Sequence, residues 1–386
     1  MRQFVMSIVW RGGIALVGVA LWFHSAAASP FGGLVVFGDS LSDIGNISSA
    51  TAGFVPGSTY WNGRFSNGPV YAESLATGLG LPPLARSTNG GGDFAYGGAQ
   101  TTGTGGLDGF FISDVDEQVT SFLSSRTTSA TTLYVVFAGA NDLIGGQTNM
   151  SVPVNSLATS INRLVNAGAR QFLVINLPPL GDTPRFNNNA SSRATYNARA
   201  QQYNTALATM VAGLHTSNPA VTTYQFDLFA LMSRVITDPA GFGLANVSSS
   251  AAPGLSPGAS SYDSSKIVAN PNQYLFWDDL HPTTAVHAVF AQRLLDLFRL
   301  PGDFNSDGSV DAADYVRWRN GASPSHIPDD YNVWREHVGQ SSGAGTGRAM
   351  VGQFPVPEST TDIVLSLILL YSLCGLRINR TSLCSA

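Results

Sequence analysis

The sequence predicts a three-layer α/β/α domain with a mainly parallel β-sheet. Between residues 30 and 300, short apolar runs rich in β-branched residues alternate with longer segments whose apolar residues recur at helical spacing. The first three apolar runs each end at a Gly, Asn or Pro cluster, as buried parallel strands usually do. This alternation is typical of folds in which helices pack on a parallel sheet.

Each element follows from its local pattern. Strands are predicted at residues 34–37, 133–137, 172–175 and, with weaker apolar character, 221–226. Helices are predicted at residues 154–167, 190–214 and 282–298. Pro282 suits the first helical position, which predicts that His281 lies at or near the N-cap.

Two stretches rich in Gly, Ser, Asn and Thr interrupt this pattern, at residues 86–110 and 243–266. We expect both to be long loops. Their polar composition fits loops that shape a substrate site and equally fits surface loops without a function.

The bulk composition excludes several kinds of protein. The 386 residues have room for one large domain and appendages. The formal net charge is −5 and Lys266 is the only lysine, so no basic surface for nucleic acid or anionic lipid is expected. Cys374 and Cys384 are the only cysteines and lie in the C-terminal tail, so a disulfide, a thiolate nucleophile and a Cys-based metal site are excluded from the main domain.

Residues 1–28 are interpreted as a secretory signal peptide. Arg2 and Arg11 supply positive charge, residues 14–23 form an apolar segment, and alanines 26–28 form a small-residue cleavage site. A membrane anchor is the alternative, but an apolar run of about ten residues is too short to span a bilayer. We therefore expect an exported protein, extracellular or associated with the cell surface, whose main domain occupies residues 29–300.

The turn after the first predicted strand carries a serine with two interpretations. Gly38 and Asp39 break the apolar run, which places Ser40 at the carboxyl end of a strand, where open α/β sheets bind ligands. Ser40 is therefore either a helix N-cap or a nucleophile. The serine alone favours the cap, because such residues are common at helix starts.

A candidate base and its carboxylate precede the last predicted helix. A serine hydroxyl becomes a nucleophile when a base takes its proton, and His281 can do so if a carboxylate orients its ring. Asp278 lies three residues before His281 and can fold back within one tight turn, while the adjacent Asp279 competes for the same role. His281 could instead be a capping residue, and His287 is interpreted as a surface or packing residue.

Acyl transfer also needs donors aimed at a developing oxyanion. The natural set is the N–H of Ser40, the N–H of Gly98 in the small-residue turn 94–99, and the side-chain amide of Asn141, which follows the second predicted strand. Asn141 as an ordinary turn residue is the alternative.

Together these segments resemble the GDSL lipase/esterases, or SGNH hydrolases. The resemblance rests on residues 38–43, the glycine of 94–99, residues 139–142 and Asp278-x-x-His281, and spans residues 34–299. Residues 62–69 are similar to the secreted lipase-like branch of that family. Each block is common alone, whereas four blocks in order, each at a predicted strand end or turn, are specific.

The resemblance implies a flavodoxin-like fold and a serine ester hydrolase that needs no cofactor for catalysis. It implies that Ser40 is the nucleophile, His281 the base and Asp278 its orienter, with Gly98 and Asn141 completing the oxyanion hole. Family members usually carry Asn where this chain has Asp93, which leaves Gly97 as the alternative donor. The expected substrate is a lipid, a small acyl ester or an acetylated glycan. An acyltransferase using the same site and an inert surface-binding module are the alternatives.

Residues 301–340 are interpreted as a dockerin-like calcium-binding module, because the loop 303–314 resembles the EF-hand loop of a type I dockerin. The expected ligands of one structural calcium ion are Asp303, Asn305, Asp307, the carbonyl of Ser309, Asp311 and Asp314, with Gly308 at the sharp turn. Such a module implies a cohesin-like or surface partner. Residues 329–335 keep the second helix without loop ligands, so tight cohesin binding is not expected.

The remaining segments are a linker and a tail. Residues 341–353 are interpreted as the linker. Residues 354–386 resemble a PEP-CTERM sorting signal, with an apolar run at 363–376 followed by Arg377 and Arg380. A short hydrophobic anchor with its positive residues inside the cell is the alternative.

Overall fold

The computed structural model describes residues 29–103, 111–305, 307–320 and 330–341. The predicted signal peptide, the sorting tail and all but the first residue of the predicted linker lie outside these described residues. The described chain divides into a main domain, Phe31–Phe298, and a C-terminal unit within Arg299–Ser342.

The main domain contains the predicted parallel sheet. Four strands pair in parallel in the order β1-β2-β3-β4, and two further strands, β5 and β6, form a separate parallel pair. All four predicted strands are confirmed within one or two residues at each end. Within the described residues, the strands are β1 (Gly33–Gly38), β2 (Thr132–Phe137), β3 (Gln171–Ile175), β4 (Thr222–Phe226), β5 (Asn246–Ser250) and β6 (Tyr274–Phe276).

Helices connect the strands and pack on both faces of the sheet. Residues 134 and 137 of β2 lie on opposite faces because side chains alternate along a strand. Tyr134 packs edge-on against Phe122, and Phe137 packs edge-on against Phe290, with ring centroids 5.8 and 6.1 Å apart. The helices are α1 (Asn46–Ala50), α2 (Tyr71–Gly78), α3 (Val115–Ser125), α4 (Ala140–Ile144), α5 (Ser151–Asn166), α6 (Ala190–Ser217), α7 (Leu228–Thr237) and α8 (Thr284–Asp296).

The start of the last helix differs from the prediction. Helix α8 begins at Thr284, so Pro282 is not its first residue and His281 is not its N-cap. Residues 281–283 instead pair with the end of β6, because the Trp277 N–H donates to the His281 carbonyl (2.7 Å) and the Thr283 N–H donates to the Leu275 carbonyl (3.0 Å). These backbone hydrogen bonds, rather than a helix terminus, fix the position of His281.

The stretch 243–266 is not wholly a loop. It contains β5, which pairs with β6, and residues 251–255 then pack into a small core with Tyr60 and Trp277. The sequence pattern did not predict this strand, because β5 is only half-buried and three of its five residues are serines.

The other glycine-rich stretch pairs with β1. The Phe94 N–H donates to the Val36 carbonyl (2.8 Å), and the Tyr96 N–H donates to the Gly38 carbonyl (3.1 Å). Residues 92–96 therefore run beside β1, and the turn that follows lies next to the turn that carries Ser40.

The C-terminal unit contains helices α9 (Ala312–Arg319) and α10 (Asp330–His337). Their contact is aromatic: the ring centroids of Tyr315 and Trp334 are 5.1 Å apart, and those of Trp318 and Tyr331 are 5.0 Å apart. Across the described part of the chain, no helix is both long and apolar enough to cross a membrane.

Candidate active site

Ser40 lies in a tight turn immediately after β1. The N–H groups of Ser42 and Asp43 both donate to the Asp39 carbonyl at 3.0 Å. Helix α1 begins only at Asn46, so the interpretation of Ser40 as a helix N-cap is wrong. The Ser40 side chain is buried, and what it contacts is a histidine.

His281 lies between Ser40 and Asp278. Its Nε2 is 2.9 Å from the Ser40 Oγ, and its Nδ1 is 2.7 Å from the Asp278 Oδ2. Both distances are within the range that proton transfer requires. Because an ionised carboxylate only accepts hydrogen bonds, the Nδ1 carries a proton and the Nε2 is free to accept one from the serine.

Asp278 is fully buried and surrounded by donors. Burial by itself would raise the pKa of this carboxyl, but His281 and its hydrogen bonds hold the pKa below the usual value of 3.8. The N–H groups of Leu280 (2.8 Å) and His281 (2.7 Å) donate to Oδ1, and the Tyr60 hydroxyl donates to Oδ2 (2.6 Å). Asp278 is therefore ionised and fixed in orientation.

Asp279, the alternative carboxylate, has a different partner. Its two oxygens accept hydrogen bonds from Arg185, at 2.8 and 3.0 Å, and its side chain is 41% exposed. Asp278 and not Asp279 contacts the histidine.

The segment 60–67 supports the histidine and was given no role from the sequence. The Phe65 ring centroid is 5.0 Å from that of His281. The Ser66 hydroxyl donates to the Pro282 carbonyl (2.9 Å), and the Asn67 Oδ1 accepts the Thr284 N–H (2.8 Å). The sequence does not single out Tyr60, which lies in the same segment. The nearest signal is that residues 62–69, just after it, resemble the lipase-like branch of the family.

The expected oxyanion donors border the same space. Among the described residues, the N–H groups of Ser40 and Gly98 have no hydrogen-bond acceptor. Gly98 has a backbone φ of +86°, a conformation that residues other than glycine rarely adopt. The Gly97 N–H is bound to the Asp43 Oδ2 (2.8 Å), which excludes Gly97 as the alternative donor. The Asn141 side-chain amide donates one hydrogen to the Ala99 carbonyl (2.9 Å), and its second hydrogen remains available as a donor.

Comparison with known proteins identifies the family. The profile of the family described as GDSL-like Lipase/Acylhydrolase matches residues 34–294. The chain belongs to this family. It is therefore a hydrolase that acts on ester bonds.

Curated relatives agree with that family. A phosphatidylcholine-sterol acyltransferase of Aeromonas hydrophila is 28% identical over 322 residues, covering 72% of this chain and 94% of that protein. A thermolabile hemolysin of Vibrio parahaemolyticus is 28% identical over 294 residues, covering 72% of this chain and 66% of that protein. A GDSL esterase/lipase of Arabidopsis thaliana is 27% identical over 351 residues, covering 76% and 91%.

Asp93, the departure from the GDSL family pattern, does not disturb the glycine turn. It is fully buried, and its carboxyl oxygens accept the N–H groups of Ile44 (2.9 Å) and Ala95 (3.2 Å). Burial and the nearby charge of Asp43 raise its pKa well above 3.8. Asp43 in turn holds the Gly97 peptide, so the two acids position the turn before Gly98.

Two cavities of this GDSL hydrolase meet at Ser40. One is narrow and more enclosed, with a volume of ≈ 60 Å³, and the other is an open cleft of ≈ 760 Å³. Ser40, Asn141, Leu280 and His281 line both, whereas Gly98 lines only the open cleft.

His287 lines the enclosed cavity and is buried, so its interpretation as a surface residue is wrong and that as a packing residue is confirmed. Its Nδ1 accepts the Tyr71 N–H (3.3 Å). Burial, aided by the charge of His281, lowers its pKa from 6.5 to about 3, so the ring is neutral. Its Nε2 has no hydrogen-bond partner among the described residues.

Within the described ranges, which include most of the loop 303–314, no group of three or more His, Cys, Asp or Glu side chains is arranged to hold a metal. Asp303 accepts the Gly308 N–H (2.9 Å), and Asp314 accepts those of Asn305 (2.9 Å) and Asp311 (2.8 Å). Gly308 has the expected positive φ of +84°. The calcium site remains a prediction.

The other expected ligands bond within the loop. The Asn305 side-chain amide donates to the Asp307 Oδ2 (2.9 Å), and the Ser309 N–H donates to the Asp307 Oδ1 (2.9 Å). Asp311 caps α9 by accepting the Ala313 N–H (2.7 Å).

Proposed function

We propose that the protein is an exported serine ester hydrolase in which Ser40, His281 and Asp278 form the catalytic triad. The observation that carries the proposal is the unbroken contact from the Ser40 Oγ through the His281 imidazole to the Asp278 carboxylate, at 2.9 and 2.7 Å. These residues have the roles of nucleophile, base and orienter.

Acylation begins when the Ser40 Oγ attacks the ester carbonyl carbon and its proton passes to the His281 Nε2. The oxyanion that forms on the carbonyl oxygen accepts hydrogen bonds from the N–H groups of Ser40 and Gly98 and from the second amide hydrogen of Asn141. His281 then donates its proton to the leaving alkoxide, and the acyl group stays bonded to Ser40.

Deacylation repeats the sequence with water. His281 takes a proton from the water as its oxygen attacks the acyl carbon, and returns the proton to the Ser40 oxygen as the acid leaves. Asp278 stays ionised throughout and stabilises the imidazolium. No metal or cofactor is assigned a step.

The test compares two serines of the same turn. Ser40→Ala should reduce hydrolysis of aryl acyl esters by roughly 10⁴-fold or more. Ser42→Ala is the matched control, because Ser42 is buried two residues away and bonds to the Tyr71 hydroxyl (2.8 Å) rather than to His281. A fluorophosphonate probe should label Ser40 in the wild type, as read by mass spectrometry. Hydrolysis that persists in Ser40→Ala would exclude this mechanism.

Acyl transfer to an alcohol is the second candidate function. It is favoured by the name of one relative, the phosphatidylcholine-sterol acyltransferase. In that reaction an alcohol replaces water in deacylation at the same serine. Product analysis with an added alcohol separates the two: a transferase forms a new ester, whereas a hydrolase releases free acid. A chain that binds esters without turning them over would instead be the inert surface-binding module.

Two further parts of the proposal concern location and calcium. Export follows from the signal-like residues 1–28 and predicts a mature N-terminus near Ser29, which N-terminal sequencing of secreted protein would test. The loop 303–314 is proposed to hold one calcium ion, because its oxygen-bearing side chains occur at EF-hand spacing. The ion would shape the C-terminal unit. A surface or cohesin-like partner would bind through that unit.

A further inference from the structure

The two cavities at Ser40 differ in shape and lining. Helix α7 contributes Leu228, Met232 and Ile236 to the enclosed cavity, and their four-residue spacing places them on one helix face. Prolines 178 and 179, β6 and α8 complete its mainly apolar wall. At ≈ 60 Å³ it holds roughly four to six groups of the size of a water molecule or a methylene.

The open cleft has room for a much larger group and reaches the surface. Its wall includes Ile47, Val55, Phe65 and Ile112, and two aromatic residues at its rim, Phe54 and Phe111, are 61% and 47% exposed. Arg185 also lines this cleft, but its charge is paired with Asp279.

The chemistry of acyl transfer decides which part of the ester lies on each side. The alcohol must leave, and water must enter, while the acyl group is still bonded to Ser40. Exchange of alcohol for water requires a path to solvent, which the open cleft supplies. An alcohol held in the narrower, more enclosed cavity would have the less direct path to solvent, so the open cleft is the better place for the group that must leave.

We propose that the enclosed cavity is the acyl subsite and the open cleft is the alcohol subsite. The substrate class is then an ester of a short, unbranched aliphatic acid with a bulky, largely apolar alcohol. This inference rests on the proposed function and adds the substrate class. Met232 and its neighbours on α7 set the limit of acyl length, and Phe54 contacts the alcohol.

The experiment measures kcat/KM of the full chain for nitrophenyl esters from acetyl to dodecanoyl. The wild type should peak at a short acyl chain and lose about tenfold per methylene that no longer fits. Met232→Ala should move the optimum to a chain longer by roughly three methylene groups, the size of the deleted atoms. Ile236→Ala, at a half-buried position of the same helix face, should move the acyl-length optimum in the same direction. It replaces Met232→Ala as the test if that variant does not fold.

Two controls make the assignment specific. Leu231→Ala removes a similarly buried side chain of α7 that does not line the cavity, and should leave the optimum unchanged. Phe54→Ala should also leave the acyl optimum unchanged, while lowering the preference for naphthyl over ethyl butanoate.

Three results would overturn the proposal. They are a wild-type optimum at the longest chains, an optimum that moves with Phe54→Ala instead of Met232→Ala, and an equal shift with Leu231→Ala. If no ester of any length is cleaved, the hydrolase function itself fails and the subsites fail with it. Cleavage without a length limit, by contrast, rejects only the subsites.

Discussion

The Tyr60 hydroxyl donates a 2.6 Å hydrogen bond to the same oxygen of Asp278 that faces His281. Burial and the adjacent carboxylate raise the pKa of Tyr60, so the phenol remains a donor at all working pH values. The Asp278 charge is thus shared between a tyrosine and a histidine. In the proposed triad Tyr60 is a positioning residue, since its hydroxyl contacts Asp278 and not the reacting atoms.

Tyr60→Phe should move the acidic limb of the kcat/KM profile to higher pH. Without the hydroxyl, the Asp278 carboxyl loses one of the hydrogen bonds that lower its pKa, so it takes up a proton at higher pH. Loss of one buried hydrogen bond to a charge should also cost about 1.5–3 kcal/mol of stability. The measurements are a pH–rate profile and denaturant unfolding.

Tyr71→Phe is the matched control for Tyr60→Phe. It removes another buried hydroxyl, whose partner is Ser42. It should reduce stability and leave the pH profile in place. A profile that is unchanged in Tyr60→Phe as well would limit Tyr60 to a structural role.

Asn141→Ala should reduce kcat about 10²- to 10³-fold with little change in KM, because an oxyanion donor acts mainly in the transition state. Asn187→Ala is the comparison, since its amide donates to the Ser248 carbonyl (2.8 Å), outside the lining of both cavities. An equal fall in kcat in both variants would indicate a general loss of structure.

His287 should make the main domain less stable in acid. Its pKa is about 3 in the folded chain and 6.5 ordinarily, so between these values the unfolded chain binds more protons. Stability contributed by the neutral ring is complete above pH 6.5 and is lost as pH falls towards 3. The slope is about 1.4 kcal/mol per pH unit in that window.

Asp39 opposes this trend, because burial raises its pKa to about 6 and its proton stabilises the fold as pH falls. The difference between wild type and His287→Asn isolates the histidine, since Asn can still accept the Tyr71 N–H. Denaturant unfolding from pH 4 to pH 8 gives the two curves. They should converge in acid, and curves that stay parallel would contradict the neutral ring.

Calcium should stabilise the C-terminal unit without taking part in catalysis. The Trp334 indole donates to the Asp311 carbonyl (2.7 Å), so tryptophan fluorescence should report cation binding to the loop. Asp303→Ala and Asp314→Ala should abolish the response and leave ester hydrolysis nearly intact. Loss of hydrolysis on chelation would contradict this division.

Local patterns in the sequence determined the elements and part of the site. Apolar periodicity predicted the four strands of the parallel sheet, and the turn after β1 singled out Ser40. The three-residue spacing favoured the pairing of Asp278 with His281, because one tight turn can bring those groups together; the structure decided against Asp279, which pairs with Arg185. The family match covers residues 34–294, a range that contains the same blocks.

Partners distant in the chain were decided by the tertiary structure. Tyr60 and Asp278 are 218 residues apart, and no periodicity relates them. The sequence favoured Gly98 but left Gly97 as an alternative donor, and the packing decided between them, because the Gly97 N–H is bound to Asp43. The sequence by itself determined which residues could react. The packing of the chain decided their neighbours, because contacts between distant segments depend on how the sheet, its helices and its loops come together.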